Sequence, residues 1–176
     1  MQTPPFEDQP CSVAQALGEI GERWTLLILR EAFFGMQRFT DFQARLGVAR
    51  NILTARLNKL VATGILTRNV APGRGNPRFY RLTEKGRDVL PAFIALMQWG
   101  DRWIAGEAKA PVRVVDTATG EEIARLRVCA RDGRPLVARE MRVVPGPGAD
   151  VSIHRRFGAT ASGGEAPEAA FAFRRG

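Results

Sequence analysis

The stretch that decides the fold reads Phe39-Thr-Asp-Phe-Gln-Ala-Arg-Leu-Gly47, then Ala49-Arg-Asn-Ile-Leu-Thr-Ala-Arg-Leu-Asn-Lys-Leu60, and finally Gly64-Ile-Leu-Thr-Arg68, Pro72-Gly-Arg-Gly-Asn-Pro-Arg78 and Phe79-Tyr-Arg-Leu82. Its apolar residues recur first at the period of a helix and then at the period of a strand. Gly47 supplies a tight link between two short helices, and a Gly- and Pro-rich loop joins two short strands. Two helices followed by a ribbon with a cationic tip predict a winged helix-turn-helix.

The flanking sequence adds three helices and a β-rich extension. The predicted helices run from Ser12 to Gly18 or Gly21, from Arg23 to Phe34, from Thr40 to Gly47, from about Ala49 to Thr63 and from Glu84 to about Ile104, and the predicted strands cover 65–70 and 78–82. A Gln three residues after Ser12 and after Thr40 predicts a capping box at each start. Alternating residues in 112–144 predict a three-stranded meander. The predicted fold class is α+β, a mainly α winged helix-turn-helix domain with a small C-terminal antiparallel β-meander.

The fourth predicted helix has a buried stripe and a polar outer face. The stripe contains Ile52, Leu53, Leu57, Leu60 and Val61, the outer face contains Arg50, Asn51, Thr54, Ala55 and Asn58, and Arg56 and Lys59 flank it. Arg and Asn can pair bidentately with guanine and adenine edges, and Thr offers a methyl group or a hydroxyl. A merely solvated face would mix both signs of charge, whereas residues 47–76 contain no Asp or Glu. The composition favours base readout in the major groove of DNA.

The loop 71–77 carries Arg74 at its tip, and Arg68 and Arg78 lie on the flanking strands. A glycine-rich loop that cradles a nucleotide phosphate needs a strand before it and a helix N-terminus after it. Here strands are predicted on both sides. A wing that contacts the DNA backbone or the minor groove is therefore preferred.

The positive net charge favours a polyanionic partner, although an Arg-rich composition alone can also make a protein basic. The 176-residue chain has a formal net charge of +8 at pH 7 and a sequence pI near 10.9. Residues 11–106 hold 14 Lys and Arg against 7 Asp and Glu, so most of the excess lies in the helix-turn-helix region. The low cysteine content, the lack of a signal-peptide pattern and the lack of a long apolar run predict a cytoplasmic protein that does not enter a membrane.

The fifth predicted helix is apolar around most of its circumference. Its apolar residues include Val89, Leu90, Phe93, Ile94, Leu96, Met97, Trp99, Trp103 and Ile104. Such a helix must be covered nearly all round. The economical cover is the same helix of a second subunit together with the first helix of each chain. This predicts a homodimer whose interface includes Phe93, Leu96, Trp99 and Trp103, with packing against residues 112–144 of the same chain as the alternative.

Several ordered motifs carry a resemblance to a known family. They read Cys11-Ser-Val-Ala-Gln-Ala-Leu17, Ile20-Gly-Glu-Arg-Trp-Thr-Leu-Leu-Ile-Leu-Arg-Glu31, Phe34-Gly-Met-Gln-Arg-Phe-Thr-Asp-Phe42, Leu53-Thr-Ala-Arg-Leu57 and Tyr80-Arg-Leu-Thr-Glu-Lys-Gly86. Over about residues 11–106 the chain resembles the HxlR-type branch of MarR-like winged-helix transcription regulators. Motifs in this order and spacing are far more specific than any one of them alone.

The resemblance implies a bacterial homodimer that binds an inverted-repeat operator, with a recognition helix in each major groove and a wing alongside. On this chain it implies groove-facing roles for Arg50, Asn51 and Thr54 and backbone-facing roles for Arg38, Arg56, Arg74 and Arg78. Relatives commonly have Ser at the start of the recognition helix, where this chain has Val48-Ala49. Since Ala neither caps a helix nor donates to phosphate, the local geometry and the operator sequence stay open.

In some members of the family the Cys at the position of Cys11 senses oxidants or electrophiles. A thiol beside a helix N-terminus can be more ionised and hence more reactive, which makes such a role chemically reasonable. Cys11 can equally act as a small apolar residue that packs the first helix.

We expect an N-terminal arm at 1–10, a DNA-binding and dimerisation domain at 11–106, the meander extension at 107–150 and a flexible tail at 151–176. The extension resembles one that, in some HxlR-like proteins, contains paired Cys motifs like a small zinc ribbon. This chain keeps Cys129 but has Asp132 where a second Cys would stand. A structural zinc site lacks ligands here, so neither a metal nor a cofactor is expected.

Two other function classes fit the sequence less well. An enzyme is not expected, because the one histidine, His154, lies in the predicted tail and no nucleophile elbow or cofactor fingerprint accompanies it. A dimeric protein-binding or non-specific DNA-binding module without operator specificity is the alternative function, and Ala49 keeps it open. The expected partners are double-stranded DNA and a second copy of the chain, whereas a small-molecule or redox effector is left unidentified.

Overall fold

The computed structural model describes residues 5–6, 9–70 and 78–157. The chain divides into two compact units, Met1–Ala124 and Arg125–Gly176. The predicted mainly α winged helix-turn-helix of the α+β class is confirmed, since the described part is mainly helical with one two-stranded antiparallel sheet. None of the described helices is both long enough and apolar enough to cross a membrane.

Four helices precede the sheet, close to the positions that the sequence predicts. They are α1 (Ser12–Ile20), α2 (Arg23–Phe33), α3 (Phe39–Leu46) and α4 (Arg50–Ala62). Gly47 follows α3 with φ of 60°, a left-handed conformation that glycine adopts without strain and that turns the chain into α4. The two predicted capping boxes are wrong, because the N-cap residues are Cys11 and Arg38 and neither side chain makes a capping hydrogen bond.

The wing is a hairpin of β1 (Leu66–Val70) and β2 (Arg78–Leu82). Leu66 pairs with Leu82 and Arg68 with Tyr80, so these four side chains share one face of the ribbon. A third segment borders β2, since Arg38 forms an isolated bridge with Phe79 and the amide of Tyr80 donates to the carbonyl of Gln37 at 2.8 Å. The predicted loop at 71–77, with Arg74, lies outside the described residues.

The core of the first unit lies between the helices and the inner face of the wing. Its buried apolar residues are Ile28, Leu29, Phe42, Val48, Leu53, Leu57, Leu60, Ile65, Leu66 and Tyr80. The predicted stripe of the fourth helix is therefore mostly correct, with Ile52 and Val61 only partly buried. The ring of Tyr80 meets Phe42 edge-on at 6.4 Å, which joins β2 to α3.

The predicted fifth helix is broken into separate pieces. The structure has α5 (Glu84–Arg87), α6 (Leu90–Gly100) and a π-helical turn at Asp101–Ala105. Pro91 explains the break, because it has no amide to donate to the carbonyl of Arg87 and its ring would crowd that carbonyl. One continuous helix from Glu84 to Ile104 is therefore wrong, although the apolar surface that it predicted is present on α6 and the π-helical turn.

The predicted three-stranded meander at 112–144 is corrected to tight reversals without a continuous sheet. In the first unit a single bridge joins Val115 to Glu122, and in the second unit another joins Cys129 to Pro135. The alternating pattern marks extended backbone, but a ladder also needs partner strands in register. In the first unit the 112–124 segment packs on α6, where Nε2 of Gln98 donates to the carbonyl of Ala124 at 3.3 Å.

The second unit ends, in its described part, with a short helix, α7 (Val151–Phe157). The carboxylate of Asp150 accepts from Oγ of Ser152 at 2.6 Å and from the amide of Ile153 at 2.9 Å. These hydrogen bonds, that of Ser152 first, hold the pKa of Asp150 below its usual range. Residues 151–157 of the predicted flexible tail are therefore helical, and residues 158–176 lie outside the described part of the chain.

Candidate nucleic-acid interface

The outward face of α4 is small, polar and free of acids. Arg50, Asn51, Ala55 and Asn58 are exposed, as the sequence predicts. Thr54 is half-buried, and its hydroxyl donates to the carbonyl of Arg50 at 2.8 Å, which leaves its methyl group and an oxygen lone pair for another partner. The described segments 47–70 and 78–82 contain no Asp or Glu, so the charge at this surface is positive.

The N-terminal end of α4 is open. Ala49 is the N-cap and makes no side-chain hydrogen bond, so the first-turn amides have no side-chain partner from the cap. The guanidinium of Arg50 lies over the ring of Phe39 at 5.2 Å. This contact sets the Arg50 side chain beside the first residue of α3.

Two of the cations that flank the outer face are occupied inside the protein. Nε of Arg56 lies 2.5 Å from Oε2 of Glu22, and the Arg56 side chain is 29% exposed. Nζ of Lys59 donates to the carbonyl of Gly18 at 2.7 Å, near the C-terminal end of α1. The structure therefore places Arg56, predicted to face the DNA backbone, in an ion pair within its own chain.

Arg38 and Arg78, which are also predicted to face the DNA backbone, lie on opposite faces of the wing. The backbones of Arg38 and Phe79 form a strand-like bridge, so their side chains share the face of the wing opposite Tyr80. The Arg38 guanidinium lies 5.4 Å from the Phe79 ring centroid. Arg78 is exposed and lies on the face that carries Tyr80. Arg74 lies outside the described residues, so its position at the wing tip stays a prediction.

Arg68 also belongs to this surface, although the sequence alone does not identify it as a site residue. Nη1 of Arg68, on β1, donates to Oδ1 of Asn58, on α4, at 3.1 Å. The signal that could have found it is the two-residue period of β1, which puts Arg68 on the same face as the buried Leu66 and thus toward the helices. This hydrogen bond joins the wing to the predicted recognition helix.

The predicted dimer residues and Cys11 lie elsewhere in the first unit. Leu96, Trp99, Trp103 and Ile104 are 54%, 52%, 64% and 75% exposed. Phe93 is half-buried, with its ring 5.3 Å from that of Phe33. Cys11 is a free, exposed thiol at the start of α1. No cluster of possible metal ligands occurs among the described residues.

A helix pair turned at Gly47, a basic outer face on the second helix and a flanking hairpin define a winged helix-turn-helix DNA-binding domain. A family model for the HxlR-like helix-turn-helix matches residues 19–108. The chain belongs to the HxlR-like family of helix-turn-helix transcription regulators. Its relatives are regulators of transcription and not enzymes.

Relatives and solved structures agree with this assignment. An uncharacterized HTH-type transcriptional regulator of Mycobacterium tuberculosis is 42% identical over 137 residues, which cover 78% of this chain and 87% of that protein. Another, from Methanothermobacter thermautotrophicus, is 37% identical over 91 residues, 51% of this chain and 70% of its own.

Three solved structures share the fold. The crystal structure of PA1607, described as a candidate transcription factor, has a TM-score of 0.74 and 41% identity and covers 80% of this chain and 99% of its own. That of PA1374, a candidate transcription factor from Pseudomonas aeruginosa, gives a TM-score of 0.59 and 33% identity over 84% of this chain and 100% of its own. The reduced form of the redox regulator HypR is 29% identical, with a TM-score of 0.50, over 53% of this chain and 96% of its own.

Proposed function

We propose that this transcription regulator binds a specific operator as a homodimer, with α4 in the major groove and the wing beside it. The observation that carries the proposal is the outer face of α4, where Arg50, Asn51 and Asn58 are exposed and α4 itself contains no acid. Arg and Asn in the major groove are side chains that distinguish bases. The half-buried Thr54 adds a methyl contact at the edge of that face.

The proposed dimer rests on apolar surface that the first unit leaves uncovered. The 112–124 segment packs on one side of α6, yet Leu96, Trp99, Trp103 and Ile104 remain largely exposed. Exposed apolar surface of this kind, on one helix and the turn that follows it, is typical of a subunit interface. The exposed Val13 and Leu17 of α1 add further apolar surface that a second subunit can bury.

Two copies related by a two-fold axis present two recognition helices. Such a dimer binds two half-sites about one helical turn of DNA apart, so an inverted-repeat operator follows from the symmetry. Each subunit alone reads one half-site, and linking the two raises the affinity without any new contact to DNA.

The test is selection of bound duplexes from a random library or from fragmented genomic DNA, followed by titration of the selected duplex against a scrambled duplex of equal length. We expect an inverted repeat and an affinity for it about 10³-fold or more above that for the scrambled sequence at physiological salt. Equal affinity for both would favour the alternative, a non-specific DNA-binding or protein-binding module.

Light scattering of the free protein tests the other half of the proposal. A dimer at micromolar concentration is expected. A monomer that nevertheless binds one selected operator tightly would overturn the proposed architecture.

A further inference from the structure

Arg68 is placed between the wing and the predicted recognition helix. On β1 it alternates with Leu66, which is buried, and it pairs across the hairpin with Tyr80, which is buried too. Its side chain therefore leaves the sheet on the helix side. Nη1 reaches Oδ1 of Asn58, the most C-terminal residue of the outer face of α4, at 3.1 Å.

The charge of Arg68 is not neutralised by the described residues. Asn58 is uncharged, and no carboxylate in the described part of the chain lies within ion-pair distance of Arg68. Asn58 occupies one donor of the guanidinium, whose fork has five. The remaining donors suit the oxygens of a phosphate, which a guanidinium can hold bidentately.

The neighbouring cations are used differently. Lys59 donates to the carbonyl of Gly18, and Arg56 pairs with Glu22, so both hold the region where α1 meets α2. Lys85 bonds Oε2 of Glu19 at 2.7 Å and the carbonyl of Thr63 at 3.0 Å, which anchors the last turn of α1 to the end of α4. Arg56 and Lys85 are thus paired with a carboxylate, and Lys59 is directed toward α1, whereas Arg68 has neither kind of restraint.

We propose that Arg68 is a DNA phosphate contact, that Asn58 is the residue that positions it, and that Arg56 and Lys59 do not contact DNA. The inference rests on the proposed function and adds which cations take part. It also changes the role of Asn58, which lies on the outer face of α4 but serves Arg68 and does not read a base.

The first experiment compares two variants with the same loss of charge, Arg68→Gln and Lys59→Gln. Affinity for DNA falls as the salt concentration rises, and each phosphate contact adds about 0.9 to the magnitude of the slope of log affinity against log salt concentration. Arg68→Gln should lower the slope by about 0.9 per bound subunit, on the selected operator and on random DNA alike. Lys59→Gln removes the same charge but no phosphate contact, so it should leave the slope unchanged.

The second experiment tests Asn58 with a double-mutant cycle. Asn58→Ala should weaken operator and random DNA by the same factor, and it should have little further effect in the Arg68→Gln background. A base-reading Asn58 would lose discrimination between the two DNAs and would do so in both backgrounds. Arg68→Lys should restore the salt slope but only part of the affinity, since an ammonium lacks the planar fork.

The outcomes separate this inference from the proposed function. An unchanged slope for Arg68→Gln, or an equal drop for Lys59→Gln, overturns the role of Arg68 while operator binding stands. Absence of salt-dependent DNA binding by the unmodified protein overturns the proposed function itself. Thermal unfolding checks that each variant is folded, and Lys85→Gln replaces Lys59→Gln as the charge-matched control if the latter does not fold.

Discussion

Replacing Gly86 by Ala is predicted to destabilise the protein because α5 passes very close to the start of the wing. A Cβ built at Gly86 would lie 2.3 Å from the carbonyl oxygen of Ile65 and 3.1 Å from Cδ2 of Leu82. That carbonyl already accepts from the amide of Thr83 at 3.1 Å, and the Thr83 hydroxyl, which donates to the carbonyl of Gly64 at 2.6 Å, lies 3.1 Å from it. The Thr83 hydroxyl in turn caps α5 by accepting from the amide of Gly86 at 3.0 Å.

The cost of Gly86→Ala can be worked from these contacts. Relieving the overlap requires backbone to move, at about 1 to 3 kcal/mol for overpacking. Weakening one of the hydrogen bonds around Thr83 adds about 0.5 to 1.5 kcal/mol. The higher helix propensity of Ala returns up to about 1 kcal/mol. The free energy of unfolding should therefore fall by about 0.5 to 4.5 kcal/mol.

Urea unfolding followed by tryptophan fluorescence measures this change. The control is Gly100→Ala, where the backbone is helical with φ of −63° and ψ of −42° and a built Cβ meets nothing within 4 Å. That variant should be as stable as the unmodified protein or up to about 1 kcal/mol more stable. If Gly86→Ala unfolds at the same urea concentration as Gly100→Ala, the close approach of α5 to Ile65 is not a constraint and the reasoning fails.

Three further predictions concern DNA, the dimer and the thiol. In quantitative binding assays, Asn51→Ala should lower the preference for one base at one operator position by about 1 to 3 kcal/mol. Arg74→Ala should instead weaken binding to all DNA sequences similarly. If Asn51→Ala weakened binding to operator and random DNA equally, α4 would not read bases through the face assigned to it. Trp103→Asp should yield a folded monomer by light scattering and circular dichroism, because Trp103 is 64% exposed in one protomer and only a subunit contact would bury the new charge; a dimer of normal affinity would contradict this interface. Diamide treatment should change operator affinity of the unmodified protein but not of Cys11→Ser, and an equal response of both would remove Cys11 as the sensor.

Much of the first unit was predictable because its signals are local. The 3.6-residue period of Leu53, Leu57 and Leu60 needs only neighbouring residues to specify a buried helix face, and the structure buries all three. Gly47 likewise predicts the turn after α3, because glycine adopts the left-handed conformation found there without strain. The same local reasoning would have placed the helix break, since Pro91 lacks the amide that a continuous helix requires.

Over residues 12–82 the sequence by itself determined which residues form helices and strands and which face of α4 is buried, because periodicity and turn chemistry act over a few residues. Tertiary structure decided which of the cations around α4 have partners within the chain. Arg56 was predicted to face the DNA backbone and Lys59 to flank the outer face, yet Arg56 pairs with Glu22 and Lys59 donates to the carbonyl of Gly18. Arg68, on the wing, donates to Asn58 on α4. A long charged side chain reaches partners on any neighbouring element, so only the packing of those elements fixes its partner. For the same reason alternation in 112–144 indicated extended backbone but did not provide the in-register partners that a sheet requires.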